Sequence, residues 1–385
     1  MSRPVLLHSE TLYSYSFGRE HPMGPDRVRL AVELADYLGV LPLCDTAVPL
    51  PQHREQARRI HDPDYLAALG QLTPNPAYGW GTEDNPLAAG IHEVALDIVA
   101  ASTTAAQLVW EGHCTRAVNI AGGLHHAQRR GISGFCMLND AAAAIEWLLR
   151  HGAQRVAYVD VDAHHGDGVE QMFWDDPRVL TISVHESGLY LFPGTGFAGD
   201  IGGPQALGTA VNVAVEKDIT DREWLRAVHG IIPPLLQRFA PEIIISQHGA
   251  DPHRADPLTH MRLSVNAMEM VARSVRRWAD RYAQGRWVAL GGGGYHRDSL
   301  ARSWAALLAV VAGVELDMAT PMPAGWESRV HRHGVVPTST TLGDSWADLA
   351  GVEPTEVIGG QRCQAMVATS KAAFPYWGIA SYPSP

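Results

Sequence analysis

The chain has 385 residues, of which 46% are hydrophobic, so it can bury a large core. Its formal net charge is −11 and it has no long run of Lys and Arg, which argues against a nucleic-acid-binding surface. The longest apolar run, at residues 304–314, is too short to span a bilayer, and no apolar segment typical of a secretory signal follows the first residues. We therefore expect a cytoplasmic protein without nucleic-acid or membrane partners.

The four cysteines are scattered, and no two of them form a CxxC pair. They predict neither a disulfide framework nor a thiolate zinc site. The 19 histidines are more conspicuous, because many of them lie beside Asp and Gly.

Predicted helices and strands alternate through most of the chain. Helices are predicted at residues 26–38, 87–110, 140–150, 221–239, 264–282 and 298–314, and strands at residues 116–121, 155–161, 179–184, 243–246 and 287–290. Short, almost entirely apolar strands between helices indicate a parallel sheet with both faces covered. The Pro/Thr/Ser-rich stretch at residues 320–341 is interpreted as a surface connection to a short tail whose aromatic residues pack against the rest of the protein.

Four of the predicted strands lead directly into polar, glycine-rich segments. These segments are residues 122–126 (GGLHH), 160–165 (DVDAHH), 248–251 (HGAD) and 291–295 (GGGGY). Ligands of α/β sheets bind outside the carboxyl ends of the strands, so we expect the four segments to converge on one crevice.

The second segment has the spacing of a metal site. Asp160, Asp162 and His164 alternate along an extended chain and can face a common point. Asp162 and His164 would supply one carboxylate and one imidazole, and Asp251 is the natural candidate for a third ligand. Two carboxylates and one histidine with an open position predict a catalytic site that suits Zn²⁺ but also accepts Fe²⁺, Co²⁺ or Mn²⁺.

Two histidines end the first segment, and two carboxylates are left to orient them. We predict Asp167 behind His126 and Asp160 behind His125, with one imidazole taking a proton from the attacking water and returning it to the departing amine. Since Asp160 would also face cations, we predict that His125 is less basic than His126, which makes His126 the better base. The alternative is that the His125–His126 pair holds a second metal ion.

Tyr295 follows four glycines, so its hydroxyl could reach into the crevice and donate to a tetrahedral oxyanion. Phe135, beside Gly134, and Phe192 lie in glycine-rich loops and could enclose an extended aliphatic chain. The alternative is that both phenylalanines belong to the core.

Several segments together resemble the histone deacetylase family, of the class I-like kind that includes the bacterial acetoin-utilisation deacetylases. They are residues 21–27 (HPMGPDR), 83–86 (EDNP), 122–126, 133–140 (SGFCMLND), 158–168 (YVDVDAHHGDG), 192–196 (FPGTG), 249–251 with 256–257, and 291–295. They occur in the family's order over roughly residues 5–315, so the joint match is highly specific.

The resemblance implies a single α/β domain of the arginase/deacetylase type, with a central eight-stranded parallel sheet, over residues 1–318. Residues 319–385 would form a C-terminal extension without an assigned role. The implied zinc ligands are Asp162, His164 and Asp251. His126 would be the general base and acid, His125 its electrostatic partner, and Tyr295 the oxyanion donor.

The resemblance also implies a substrate passage and a structural K⁺ or Na⁺ site. Phe135, Phe192 and Gly134 would line the passage, Leu258 and Asp84 would lie at its rim, and Arg27 would lie beside the inner cavity. The monovalent cation would be held by Asp160, Asp162, His164, Ser183 and Val184.

The implied reaction is zinc-dependent hydrolysis of the acetyl amide of an acetylated amine, with protein acetyl-lysine as the expected substrate. An acetylpolyamine amidohydrolase is the alternative, although the short segment between residues 61 and 84 favours a broader mouth. A manganese ureohydrolase would need an Asp-x-Asp pair at Asp251, and no second Asp stands at that spacing. A non-catalytic acetyl-lysine binder would not need the complete set of catalytic residues. The sequence departs from common family patterns at Leu124, Leu191 and residues 186–190, so the substrate preference is not assigned. The oligomeric state is not assigned either.

Overall fold

A single parallel sheet of eight strands forms the centre of the protein. The computed structural model describes residues 3–349, 352 and 361–384. The strands are β1 (Val5–Leu7), β2 (Asp45–Ala47), β3 (Arg116–Asn119), β4 (Val156–Asp160), β5 (Val179–Glu186), β6 (Ala210–Val215), β7 (Ile243–Gln247) and β8 (Trp287–Leu290). Their order in the sheet is β2-β1-β3-β8-β7-β4-β5-β6, and every pairing is parallel. The predicted eight-stranded parallel architecture is confirmed.

Helices connect the strands. They are α1 (Asp26–Tyr37), α2 (Ala57–Ile60), α3 (Pro63–Leu69), α4 (Ile91–Trp110), α5 (Asp140–Arg150), α6 (Asp167–Met172), α7 (Asp221–Phe239), α8 (Val265–Tyr282), α9 (Arg297–Ala312), α10 (Trp326–His331) and the C-terminal helix (Gln364–Ala373). Short 3₁₀ helices lie at Glu10–Ser14, Leu41–Leu43, Pro51–Gln56, Pro76–Tyr78 and Phe374–Trp377. None of the described helices is long and apolar enough to cross a membrane.

All of the predicted helices and strands are present, with bounds that differ from the prediction by at most four residues. Helices α5 and α7 have the expected limits, because Asn139 caps the first and a Thr220–Glu223 capping box begins the second. The three-residue strand β2 and the strand β6 were not predicted. β2 is short and largely exposed, so it carries little of the hydrophobic pattern on which such a prediction depends.

The stretch at residues 320–341 is more than a surface connection. It contains α10, in which Trp326 is buried and its indole Nε1 donates a hydrogen bond to Asp298 Oδ1 at 2.7 Å. Further along, the C-terminal helix packs against β6 and α7. Its buried Thr369 donates a hydrogen bond to the carbonyl of Asn212 at 2.6 Å. The described parts of the C-terminal extension therefore pack on the domain over a long surface.

One buried ion cluster joins the extension to α9. The fully buried guanidinium of Arg302 lies 3.1 Å from a carboxylate oxygen of Asp298 and 3.0 Å from one of Asp344. All three side chains are removed from water, so each charge depends on the others for compensation.

We expect Arg302→Met to lower the free energy of unfolding by about 3–5 kcal/mol, because it leaves two buried carboxylates without their cation. The matched control is Arg222→Ala, which breaks the exposed pair with Asp348 and should cost less than about 1 kcal/mol. Urea unfolding of the two variants tests this. Equal losses would show that burial does not set the energetics of the cluster.

Candidate active site

The carboxyl ends of four neighbouring strands meet beside one cavity. β3, β8, β7 and β4 lie side by side, and each leads into one of the four polar segments identified in the sequence. The cavity has a volume of about 250 Å³. The predicted site residues that line it are Asp84, His125, His126, Gly134, Phe135, Asp162, His164, Phe192, Asp251, Leu258 and Tyr295. The other predicted residues, Arg27, Asp160, Asp167, Ser183 and Val184, do not line this cavity.

Asp162, His164 and Asp251 form a buried cluster whose possible ligand atoms all lie within 4.8 Å of one another. His164 Nδ1 is 3.1 Å from Asp162 Oδ1 and 2.9 Å from Asp251 Oδ2. The other oxygen of Asp162 accepts hydrogen bonds from Gln247 Nε2 at 2.6 Å and from the amide of Gly293 at 2.8 Å. The carboxylates are therefore held in fixed orientations by the neighbouring strand ends.

The charge and the shape of this cluster fit a divalent metal ion. Burial and the negative charge of Asp162 together raise the pKa of Asp251 to about 7. A divalent cation would offset this repulsion. A Cβ atom at Gly293 would lie only 2.0 Å from Asp251 Oδ2, so glycine is required for the backbone to pass this close to the carboxylates. Two carboxylates and one imidazole are a donor set that zinc and related ions accept.

Two histidine–carboxylate pairs lie beside the cluster. His125 Nδ1 is 2.8 Å from Asp160 Oδ2, and His126 Nδ1 is 2.6 Å from Asp167 Oδ1. The His126 ring also packs edge-on against Phe192, with ring centroids 5.0 Å apart. His126 therefore adjoins the passage, whereas His125 is enclosed by the carboxylates of Asp160 and Asp162.

Among the protein's own charges, the order of basicity of these histidines is the reverse of the prediction, which assumes that cations share Asp160. Burial alone would lower the pKa of His125, but the nearby carboxylates of Asp160 and Asp162 raise it to about 9. Burial and the positive charge of the adjacent His125 ring together lower the pKa of His126 to about 4. The prediction considered Asp160 alone and not the approach of Asp162 to within 3.9 Å of His125 Nε2. Among the protein's own charges, His126 is the neutral imidazole.

Tyr295 lies against the cavity with its backbone amide fixed. The amide donates a 2.7 Å hydrogen bond to Asp256 Oδ2. The phenol hydroxyl itself has no hydrogen-bond partner in the described part of the chain. Burial raises the pKa of Tyr295 well above its usual value, so the hydroxyl keeps its proton. Arg27 lies behind the ring, where its guanidinium donates to the carbonyls of Gly292 and Gly294 and lines a small inner cavity.

Two aromatic side chains, Phe135 and Phe192, line the passage. Phe135 has a left-handed backbone, with φ of 65°, which is unfavourable for a bulky residue. Its carbonyl accepts a 2.9 Å hydrogen bond from the hydroxyl of Tyr15, and its amide donates a 3.2 Å bond to Asn85 Oδ1. Phe192 and Leu258 are partly exposed, at 47% and 38%, so the mouth of the passage is apolar.

Of the residues implied for a monovalent cation, Asp162 and His164 belong to the cluster, and the other three lie on the neighbouring strands β4 and β5. Asp160, at the end of β4, pairs in register with Ser183 on β5, and Val184 follows it. Asp160 Oδ1 accepts a 3.1 Å hydrogen bond from the amide of Asp162. All of these residues are buried.

Comparison with known proteins identifies a family of deacetylases. Residues 21–311 match the histone deacetylase domain model. The chain belongs to the histone deacetylase family. The acetoin utilization protein AcuC of Bacillus subtilis (strain 168) is 37% identical over 362 residues, which is 92% of each chain. AcuC of Staphylococcus xylosus is 32% identical over 350 residues, covering 89% of this chain and 90% of that one.

Solved structures of the family extend the likeness to three dimensions. The crystal structure of an HDAC homolog complexed with SAHA has a TM-score of 0.79 and 27% sequence identity. The similarity covers 97% of this chain and 99% of that one. This chain is therefore a metal-dependent amidohydrolase of the deacetylase type, and its substrates are acetylated.

Several functional contacts of this histone deacetylase family member were not predicted. Gln247, which holds Asp162, lies one residue beyond the predicted end of its strand. Asp256 and Asn85 belong to recognised motifs, but the motifs do not show that they bind the backbones of Tyr295 and Phe135. Such contacts join distant parts of the chain, and a single amino-acid sequence contains no local signal for them.

The two histidines give a sharp test. We expect His126→Ala to lower kcat by about 10²–10⁴, because it removes a neutral imidazole that adjoins the passage and can accept a proton. His125→Ala should cost less, since His125 is enclosed by carboxylates and contributes charge. Steady-state kinetics on both variants, with metal content measured to be equal, provide the comparison. A larger loss for His125→Ala would mean that the proton transfer was assigned to the wrong ring.

Proposed function

We propose that the protein hydrolyses the acetyl amide of acetylated lysine side chains in proteins, with Zn²⁺ as its catalytic metal. The single observation that supports this best is the common cavity. There, the Asp162–His164–Asp251 cluster, His126 and Tyr295 line one cavity together with Phe135, Phe192 and Leu258. An acetylated lysine has a straight methylene chain and a terminal amide, which match a passage of this kind.

Each side chain has a role that its position supports. The methylene chain of the substrate would lie between Phe135 and Phe192. His126, oriented by Asp167, would accept a proton from the attacking water and then deliver it to the departing amine. Tyr295 would donate a hydrogen bond to the developing oxyanion, because its hydroxyl keeps its proton and has no other described partner.

The remaining charges support these steps. Asp162, His164 and Asp251 would hold the Zn²⁺, which polarises the acetyl carbonyl and favours deprotonation of water. The His125–Asp160 pair would supply positive charge near the reacting carbonyl. Asp160, Asp162, His164, Ser183 and Val184 would hold a K⁺ or Na⁺ ion that stabilises the strand ends. Arg27 would line the inner cavity through which acetate departs.

A second candidate is hydrolysis of acetylated polyamines, and one feature favours it. Asp84 is an exposed carboxylate in the lining of the passage, where it could bind a second ammonium group of a polyamine. The same carboxylate could instead accept hydrogen bonds from the backbone amides of a protein substrate. The partly exposed Phe192 and Leu258 in the same lining favour a protein substrate, since a polypeptide would cover them whereas a polyamine would leave them in contact with water.

Side-by-side assays of acetyl-lysine peptides and acetylated polyamines test the proposal. We expect kcat/KM for the peptides to exceed that for the polyamines by at least about tenfold, which corresponds to about 1.4 kcal/mol of additional transition-state binding. Tyr295→Phe is the matched inactive control, because it removes only the hydroxyl. Higher kcat/KM for the polyamines would transfer the assignment to the second candidate, and no turnover of either class would contradict the proposed function.

A further inference from the structure

The loop between β7 and α8, residues 248–264, carries several parts of the site at once. It contains Asp251, and the hydroxyl of Thr259 closes the loop by donating a 2.6 Å hydrogen bond to the carbonyl of Asp251. It also contains Asp256, whose two oxygens accept hydrogen bonds from the amides of Tyr295 at 2.7 Å and Leu258 at 3.0 Å. The position of this β7–α8 loop therefore affects a metal ligand, the tyrosine and the rim together.

The two ends of the loop are joined by one carboxylate from the C-terminal extension. Asp344 Oδ2 is 3.1 Å from His253 Nε2, near the start of the loop, and accepts a 2.8 Å hydrogen bond from the amide of Val265, just after its end. His253 is fully buried and Asp344 is 3% exposed, so water does not compete for these contacts.

Asp344 is itself fixed by the domain. Its Oδ1 lies 3.0 Å from the buried guanidinium of Arg302 on α9, and its amide donates a 2.7 Å hydrogen bond to Asn266 Oδ1 on α8. Two residues later, the ring of Trp346 packs 4.5 Å from the guanidinium of Arg254 in the loop. The extension thus contacts the β7–α8 loop through both a buried and a partly exposed side chain.

From these contacts we infer that residues 344–346 of the extension form a brace for the active site. In this brace, Asp344 is a positioning residue that acts through His253 on Asp251 and through the loop on Tyr295. Groups that orient metal ligands from outside typically change metal affinity or activity by 10–100-fold when they are removed. The inference rests on the proposed metal site, but the brace itself is a property of the loop and can be measured separately.

Two substitutions remove the brace in different ways. Asp344→Ala deletes the carboxylate, and His253→Leu breaks its contact with the loop while leaving the Arg302–Asp344 pair intact. We expect each to weaken Co²⁺ binding, followed by visible absorption, and to lower kcat, both by about tenfold or more. Amide hydrogen exchange at residues 252–264 should become faster by about the same factor. His253→Gln, which keeps an amide donor, should restore most of the Co²⁺ affinity.

Thr369→Val is the matched control, because it removes one buried hydrogen bond of the extension at β6, away from the loop. It should leave Co²⁺ affinity, kcat and loop exchange within about twofold of the parent values, even where it lowers the Tm. If Asp344→Ala does not fold, the Co²⁺ affinity and loop exchange of His253→Leu alone test the brace. Parent-like Co²⁺ affinity and loop exchange in a folded His253→Leu variant would overturn the brace. A parent protein that binds no Co²⁺ would instead contradict the metal site, while the exchange measurement would still test the brace.

Discussion

The cost of burying two carboxylates beside each other is the constraint on which the rest of the site depends. Asp162 and Asp251 are almost completely removed from water, and their mutual repulsion is part of what raises the pKa of Asp251 to about 7. Such a pair persists in a folded protein only when hydrogen-bond donors and a cation compensate for it. The sheet supplies donors from neighbouring strand ends, namely Gln247, Ala163 and Gly293.

The same constraint explains the difference between the two histidines. His125 lies among the carboxylates and compensates part of their charge, so its pKa is raised. His126 is one position further towards the passage, where burial and the His125 charge lower its pKa. Two adjacent and chemically identical residues thus acquire different protonation states from their surroundings alone. Both rings line the cavity, and the neutral ring is the one that packs against Phe192.

Much of the fold and of the site could be predicted because the relevant signals are local. The strand that ends in Asp160 and the glycine run before Tyr295 are continuous patterns, and their convergence follows from the parallel sheet. The properties that could not be predicted depend on distances between side chains in the folded protein. The basicity of His125 depends on how closely Asp162 approaches it, and the burial of Trp326 depends on Asp298 in a different helix. Neither separation is encoded in the spacing of residues along the chain.

The C-terminal extension is connected to the site region through its buried charges. Asp344 and Asp298 share Arg302, and Asp344 reaches the loop that carries Asp251. Buried polar contacts therefore lead from the extension to the loop that carries Asp251. No sequence motif marked Asp344, because its partners are 42 and 91 positions away.

The most direct test is a crystal structure of the protein grown with Zn²⁺, recorded on both sides of the zinc absorption edge. We expect one strong anomalous peak among Asp162, His164 and Asp251, about 2.0–2.2 Å from an atom of each. A peak elsewhere, or a second peak between His125 and His126, would contradict it.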